Sequence, residues 1–202
     1  MMEMVNNSLK LLQCFLDEPY GEREGHNPPK SKDASKIIEG YTILSLIWGI
    51  GMVTDADGRK TFDSRMRQLL MGTIKEEKIW KLFTVKTPSY KSFEDVANEK
   101  ASNILIPESG LVYDYMFMYS SGKWSLWTSL AKKFQVPSGA TYEAIVVPSL
   151  DTIRNAHVWK MLVEHNKHVL VVGDTGTGKS VSMKQLLVED LDEEKFQQIF
   201  LN

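Results

Sequence analysis

The spacing of apolar and polar positions predicts helices in the first third of the chain. Residues Met1 to Glu18 carry apolar side chains at helical spacing, and Pro19 is expected to stop this amphipathic helix. Asp33 or Ser35 can cap a second helix that continues through Trp48. This second helix is apolar on most of its surface, which predicts a central place in a helical bundle.

Shorter elements are expected around and after these two helices. Residues 20–32 are rich in Gly, Glu, Asn, Pro and Lys, and predict an exposed loop. A turn at Asp55 to Gly58 precedes a predicted helix from Arg59 to Leu70, and Ile74 to Phe83 is expected to add another. Residues 89–106 have no clear period and predict no element.

Alternation of large and small side chains predicts a β-hairpin in the middle of the chain. Its strands lie within Leu111 to Tyr119 and Lys123 to Trp127, and Ser120 to Gly122 supply the turn. Trp124 and Trp127 could form stacking surfaces for a base or a sugar. Packing in a core or between domains is the simpler interpretation for aromatic side chains of a hairpin.

The pattern changes to α/β in the last third of the chain. Val136 to Gly139 resembles a linker, and a helix is predicted from Leu150 to Glu164, with Asn166 as its C-cap. The apolar run Val169 to Val172 predicts a buried parallel strand. Apolar residues at helical spacing follow Ser180 and predict another helix.

A glycine-rich loop lies between that strand and that helix, and it matches the P-loop pattern G-x-x-x-x-G-K-[ST]. The order of strand, loop and helix is the context that supports such a match. The loop consists of Gly173, Asp174, Thr175, Gly176, Thr177, Gly178, Lys179 and Ser180, and Val181 at the start of the helix completes the candidate site.

The residue types of this loop suit the binding of nucleotide phosphates and Mg²⁺. Gly173, Gly176 and Gly178 can adopt positive φ, so successive N–H groups can turn toward a phosphate. Lys179 can reach the β- and γ-phosphates, and the hydroxyl of Ser180 can serve as a Mg²⁺ ligand. The two threonines of the loop offer further donors.

The amino-acid composition limits which partners and which cellular compartment can be expected for the chain. The chain has 202 residues, 43% of them hydrophobic, and a net charge of −2, which disfavours general binding to nucleic acid or to an anionic membrane. The longest apolar run, Tyr41 to Val53, is short for a membrane span. A single cysteine, Cys14, suits a reducing compartment, and with no signal-peptide pattern the chain is expected to be cytosolic.

The other groups of polar residues in the sequence do not indicate a metal site or a catalytic site. His165 and His168 flank a turn, and their spacing there does not direct both rings to one metal ion. The acidic run Glu189 to Glu194 is expected to be a hydrated surface. ATP hydrolysis needs an acidic residue at the end of a later strand, and the one candidate, Gln197 to Leu201, ends without an acid. No catalytic residue is therefore assigned.

Several blocks together resemble a known family. Val147 to Arg154, Leu162 to Lys167 and Gly173 to Ser180 resemble the start of the third AAA+ module of a dynein heavy chain, the axonemal type especially. Leu46 to Gly51 and Asp57 to Asp63 resemble the closing helices of the second module. Val112 to Tyr115 and Gly122 to Trp127 resemble the connector between the two modules.

The resemblance implies a piece of a microtubule motor with AAA+ modules arranged in a ring. It implies that ATP or ADP with Mg²⁺ binds here in a regulatory role, and that Val146 and Val147 lie against the adenine. The implied partners are the remainder of the heavy chain, neighbouring AAA+ modules, dynein intermediate and light chains, and microtubules through parts outside this chain. The implied location is the cytoplasm and cytoskeleton, with the axoneme of a cilium or flagellum expected. Asp174 departs from the proline of many family members, and a carboxylate near phosphates could lower affinity.

The expected fold class is therefore an α/β P-loop (AAA+) unit at the C-terminal end, preceded by an all-α lid-like bundle and a β-hairpin connector. The expected divisions are 1–88 for the lid-like segment, 89–145 for the connector and 146–202 for the start of the P-loop module. The chain alone is expected to lack ATPase activity, whether it is a fragment or a truncated product. Two alternatives stay open: a structural or interaction piece without a functional nucleotide site, and an unrelated P-loop kinase or ATPase.

Overall fold

The computed structural model describes residues 2–21, 28–71, 104–131, 134, 139, 145 and 147–200. Within it the chain divides into two compact units, Met1–Ser125 and Leu126–Asn202. Each unit has its own set of buried apolar residues. The predictions for residues 22–27, 74–83, 89–103 and 136–138 lie outside the described residues.

The first unit begins with two long helices, α1 (Met2–Tyr20) and α2 (Ser31–Gly49). Both helices are confirmed, but two predicted boundaries are wrong. Pro19 lies inside the last turn of α1, because the hydrogen bond from the N–H of Gly21 to the carbonyl of Asp17 (2.8 Å) continues the ladder past the proline. The predicted caps of α2 lie within the helix. Lys30 is its N-cap, with extended backbone and no side-chain cap.

A short 3₁₀ turn, Gly51–Val53, leads from α2 to α3 (Ala56–Leu70). Residues Asp55 to Gly58, which were predicted as a separate turn, form the N-cap and the first turn of α3. Asp55 is the N-cap, and its Oδ1 accepts a hydrogen bond of 2.8 Å from the N–H of Gly58. An aspartate in this position satisfies a donor that the helix itself leaves free.

Aromatic side chains connect α1, α2 and the hairpin in the core of the first unit. The rings of Phe15 and Tyr41 stack with centroids 5.5 Å apart, and Tyr41 meets Phe117 edge-to-face at 5.4 Å. The hydroxyl of Tyr41 donates to Oε2 of Glu18 at 3.1 Å. Burial, and then the nearby carboxylate of Glu18, raise the pKa of Tyr41 well above its ordinary value. The phenol therefore stays protonated and keeps its role as a donor.

By length and composition alone, one segment of the described chain, Asp33–Val53, could cross a membrane. In the fold, 56% of that window is buried inside the protein, mostly as the core helix α2. A buried core helix can meet the same criteria of length and apolar composition as a membrane-spanning helix.

The predicted hairpin is confirmed with shorter strands, β1 (Tyr115–Met118) and β2 (Lys123–Leu126). A 3₁₀ turn, Val112–Asp114, takes up the start of the predicted first strand. Gly122, with φ of 61°, closes the turn and donates its N–H to the carbonyl of Met118 at 2.8 Å.

Both tryptophans of this region are packed, as the simpler interpretation predicted. Trp124 meets Phe117 edge-to-face at 5.4 Å. Trp127 is 1% exposed and begins the short helix α4 (Trp127–Leu130) of the second unit. There its ring lies 5.2 Å from that of His157. The indole of Trp127 therefore has no free face for stacking on a base or a sugar, whereas that of Trp124 is half-buried.

An ion pair on α3 holds the segment that leads into the hairpin. Nε of Arg67 lies 3.1 Å from Oδ1 of Asp63, and both side chains are 14% exposed. The guanidinium also donates to the carbonyls of Pro107 (2.7 Å) and Gly110 (3.1 Å). Oδ1 of Asp63 accepts from the N–H of Val112 at 2.7 Å. One pair of side chains therefore satisfies backbone groups before the turn that leads into β1 and at its first residue.

The second unit contains the predicted helix α5 (Leu150–Glu164) with the expected bounds. Ser149 caps it by accepting a hydrogen bond from the N–H of Thr152 at 3.1 Å. Its C-cap is His165 rather than the predicted Asn166. Asn166 follows in the left-handed region (φ 56°), and the N–H of Lys167 returns to the carbonyl of Leu162 at 2.8 Å, which is the geometry of a Schellman motif.

The predicted strand Val169 to Val172 is not formed, and residues 197–200 of the predicted second strand form none either. Among the described residues, the only sheet is the two-stranded hairpin. A parallel strand exists only beside neighbours that complete its hydrogen bonds. Leu170 and Val172 are accordingly 87% and 82% exposed, although their sequence suits a buried strand.

Replacement of Arg67 by alanine should destabilise the first unit by about 3 kcal/mol, because it removes the cationic partner of a largely buried carboxylate and the donor to three backbone carbonyls. Urea unfolding followed by circular dichroism measures the change. Lys60→Ala is the matched control: it removes an exposed ion pair with Asp57 on the same helix and should cost under about 1 kcal/mol. Equal losses in the two variants would contradict the assigned role of Arg67.

Gly40→Ala should also destabilise the first unit, by about 1–3 kcal/mol, despite the better helix propensity of alanine. A Cβ at this position would lie 2.5–2.6 Å from ring atoms of Phe117, so the ring would have to move. The same substitution in a Phe117→Leu background should cost clearly less. A double-mutant cycle by urea unfolding tests this, and additive losses would exclude the proposed contact.

Candidate phosphate-binding loop

The loop 173–178 follows the segment 169–172, in which Leu170 and Val172 are exposed, and ends at the helix α6 (Lys179–Gln185). Two of its glycines have left-handed backbone, Gly176 with φ of 81° and Gly178 with φ of 75°. A Cβ built at either position would meet nothing within 4 Å. Glycine is therefore favoured by backbone conformation rather than by lack of space.

Gly178 is also the N-cap of α6, and its carbonyl accepts a hydrogen bond of 2.9 Å from the N–H of Ser182. The chain thus passes directly from the left-handed turn into the helix. Lys179 and Ser180 are the first two residues of that helix, so the loop fixes where their side chains start.

The side chain of Lys179 folds back across the loop. Nζ lies 3.1 Å from Oγ1 of Thr177 and donates to the carbonyl of Asp174. That carbonyl also accepts from the hydroxyl of Thr177 at 2.9 Å. A Cβ on Gly173 would be 3.5 Å from Cδ of Lys179, so the stem of the lysine passes close to the first glycine. The structure therefore brings Gly173, Asp174, Thr177 and Lys179 together.

The remaining residues of the candidate site are exposed and less closely connected. Thr175, Ser180, Val181 and the side chain of Asp174 face solvent. Val147 is 64% exposed just before α5, and Val146 lies outside the described residues. The proposed contact of these two valines with an adenine stays a prediction.

A small apolar core supports the helix that follows the loop. A π-helical turn, Leu186–Asp190, continues from α6, and both elements contact α5. Leu186 is fully buried and Leu191 is 6% exposed, and Val158 and Trp159 of α5 are buried as well. The loop thus has a packed helix on its C-terminal side and an exposed segment on its N-terminal side.

Sequence reasoning missed Arg154, which is 8% exposed within α5. Its guanidinium forms an ion pair with Asp151. The spacing of an acidic and a basic residue three positions apart on a predicted helix was the available signal. This spacing indicates an ion pair on one face of the helix, but it does not show that the arginine is buried.

His165 has a structural contact at the end of α5. Its Nδ1 shares a hydrogen bond of 2.7 Å with the carbonyl of Met161. Among the described residues, no group of three or more His, Cys, Asp or Glu side chains could hold a metal ion. The candidate Mg²⁺ ligand of the loop, Ser180, would hold the ion together with phosphate oxygens and water instead.

Comparison with known proteins agrees with the two-part architecture. Residues 1–129 match the family described as "Dynein heavy chain AAA lid domain", and residues 134–202 match the "P-loop containing dynein motor region". The class is thus an AAA+ motor region, in which a helical lid is followed by a P-loop containing region. The chain belongs to the dynein heavy chain family, which confirms the resemblance seen in the sequence.

The relatives include dynein axonemal heavy chain 12 of Rattus norvegicus, 35% identical over 163 residues, which are 79% of this chain and 5% of the relative. Dynein axonemal heavy chain 1 of Homo sapiens is 31% identical over 202 residues, covering 91% of this chain and 4% of the relative. The Dynein-1-beta heavy chain of the flagellar inner arm I1 complex of Chlamydomonas reinhardtii is 28% identical over 152 residues. The chain spans about 5% or less of the length of these relatives.

Proposed function

We propose that residues 173–181 bind the phosphates of ATP or ADP together with Mg²⁺, as a regulatory nucleotide site of a dynein-type microtubule motor. The observation that supports this most directly is the position of Lys179, whose ammonium group lies across the loop at the carbonyl of Asp174. A cation held there by one carbonyl and one hydroxyl can exchange them for charged phosphate oxygens, which form stronger hydrogen bonds.

The other residues of the loop fit the same ligand. Left-handed backbone at Gly176 and Gly178 turns the chain as an anion-binding concavity requires. Ser180, in the first turn of α6, is exposed and available as a Mg²⁺ ligand. Mg²⁺, when bound with the nucleotide, offsets part of the phosphate charge. The exposed carboxylate of Asp174 acts in the opposite direction and should weaken binding.

For the base, we assign Val146 and Val147, on the resemblance to the third AAA+ module. Val147 supports this because it is 64% exposed and could be covered by the flat face of an adenine. The lid-like residues would then belong to the second module of the ring. In this assignment the chain holds nucleotide but does not hydrolyse it alone, since no water-orienting acid or arginine from a neighbouring module is assigned.

The setting we propose follows the names of the relatives. Several of them are axonemal heavy chains, so the motor would act in the cytoskeleton of the cytoplasm, in the axoneme of a cilium or flagellum. The remainder of a heavy chain, neighbouring AAA+ modules, and intermediate and light chains would be its partners. Microtubules would be bound through parts outside this chain.

One observation favours a second candidate function, that of a structural or interaction piece with no functional nucleotide site. Leu170 and Val172, which precede the loop, are exposed and form no strand. A P-loop without a completed sheet beneath it is less well fixed, which lowers affinity for phosphate. The two candidates differ in whether the chain binds nucleotide at all.

Lys179→Ala should weaken binding of Mg²⁺–ADP by about tenfold to a hundredfold, because it removes the cation that meets the phosphates but leaves the backbone of the loop intact. Isothermal titration calorimetry on the 202-residue chain measures the affinity. Lys184→Ala is the matched control, since it removes an exposed lysine of the same helix and should change the affinity less than about twofold.

Equal affinity of the Lys179→Ala variant and the parent would refute the proposed phosphate contact. Absence of any binding by the parent chain would favour the second candidate function.

A further inference from the structure

A shallow groove with a volume of about 290 Å³ lies on the first unit. Its walls come from Lys36 of α2, from residues of the segment 104–107, and from residues 122–124 at the tip of the hairpin. We call it the lysine groove, after Lys36 and Lys123 in its walls.

The floor of the lysine groove is held in place by packing and hydrogen bonds. The indole N–H of Trp124 donates to the carbonyl of Ile104 at 3.4 Å, which joins the hairpin to the segment before it. The ring also contacts Phe117, which is fully buried. Leu105 lies beside this floor and is 51% exposed. A preformed apolar surface of this kind needs little rearrangement to bind a side chain.

The position of Lys36 is set by contact with a glycine. A Cβ on Gly122 would lie 3.3 Å from Cδ, Cε and Nζ of Lys36. The side chain of Lys36 therefore runs along the bare backbone of the hairpin turn. Its stem is supported by packing, so its ammonium group is held at the rim of the groove.

The charges of the lysine groove are unbalanced. Within the part of the chain that the structure describes, neither ammonium group forms an ion pair or a hydrogen bond, and no acidic residue lines the groove. Some other surface lysines of the described chain do form ion pairs, such as Lys60 with Asp57 and Lys195 with Asp192. Two free cations at an apolar floor are complementary to carboxylates that stand next to an apolar side chain.

We propose that the lysine groove binds an acidic peptide segment of a partner protein. Carboxylates of the segment meet Lys36 and Lys123, and an adjacent aromatic or aliphatic side chain packs on Trp124 and Leu105. Peptide recognition commonly combines such a charge contact with an apolar pocket. The volume suits one or two side chains, so the interaction is a weak, short-motif contact rather than a large interface.

Fluorescence anisotropy on the full 202-residue chain tests the proposal, with a fluorescein-labelled hexapeptide of four glutamates, one phenylalanine and one leucine. The Lys36→Gln/Lys123→Gln variant should bind this peptide about fivefold to thirtyfold more weakly, as expected for two partly exposed charge contacts. The matched control, Lys10→Gln/Lys60→Gln, removes the same net charge from exposed positions of the same unit and should change binding less than about twofold.

Leu105→Ser tests the apolar contact without touching charge, and it should weaken binding about threefold to tenfold because part of the floor is lost. Circular dichroism of each variant verifies the fold. Equal weakening by the two double variants would overturn the proposal, and so would absence of parent-chain binding at about millimolar peptide. Displacement of the peptide by inorganic phosphate at matched ionic strength would show a simple anion site and would overturn it as well.

Discussion

The arrangement of the first unit depends on the ion pair between Asp63 and Arg67. The pair is mostly buried, and its cost of desolvation is offset because both charged groups are hydrogen-bonded to backbone. It fixes the segment 106–112 against α3, and this segment determines where β1 begins. β1 then brings Phe117 against Gly40 and Tyr41 of α2. The lysine groove depends on the same chain of contacts, since the segment 104–107 and the hairpin form its walls.

The second unit has a different constraint: among its described residues the helices are formed, while the predicted strand at 169–172 is not. α5 has a side-chain cap at one end and a Schellman motif at the other, and the turn after α6 buries Leu186. These features need only nearby residues. The segment 169–172 needs neighbouring strands, and the relatives are roughly twenty times longer than this chain, which leaves room for such strands elsewhere in a heavy chain.

Prediction from sequence succeeded where the determining contacts are local. The bounds of α5 follow from Ser149, which caps the helix, and from the residues that close it, and the hairpin follows from its alternation and its glycine turn. Lys30 was missed as the start of α2, because its extended backbone serves as the N-cap without a side-chain signal.

Longer-range features could not be predicted. The partners of Arg67 lie 39–43 positions away along the chain, and no periodicity reveals such a distance. In the candidate site the sequence indicated Lys179 and the three glycines. It did not indicate that the lysine folds back onto the carbonyl of Asp174, since that contact depends on the φ values of Gly176 and Gly178.

Our central claim is that the glycine-rich loop of this dynein-family chain is a nucleotide phosphate site. Hydrogen–deuterium exchange with and without saturating Mg²⁺–ADP tests it most directly, because phosphate binding engages the backbone N–H groups of the loop itself. The account predicts slower exchange for the peptide containing residues 173–181, with α1 and α2 unchanged, and less slowing in the Lys179→Ala variant at the same nucleotide concentration. Unchanged exchange in this loop at saturating nucleotide would contradict the claim.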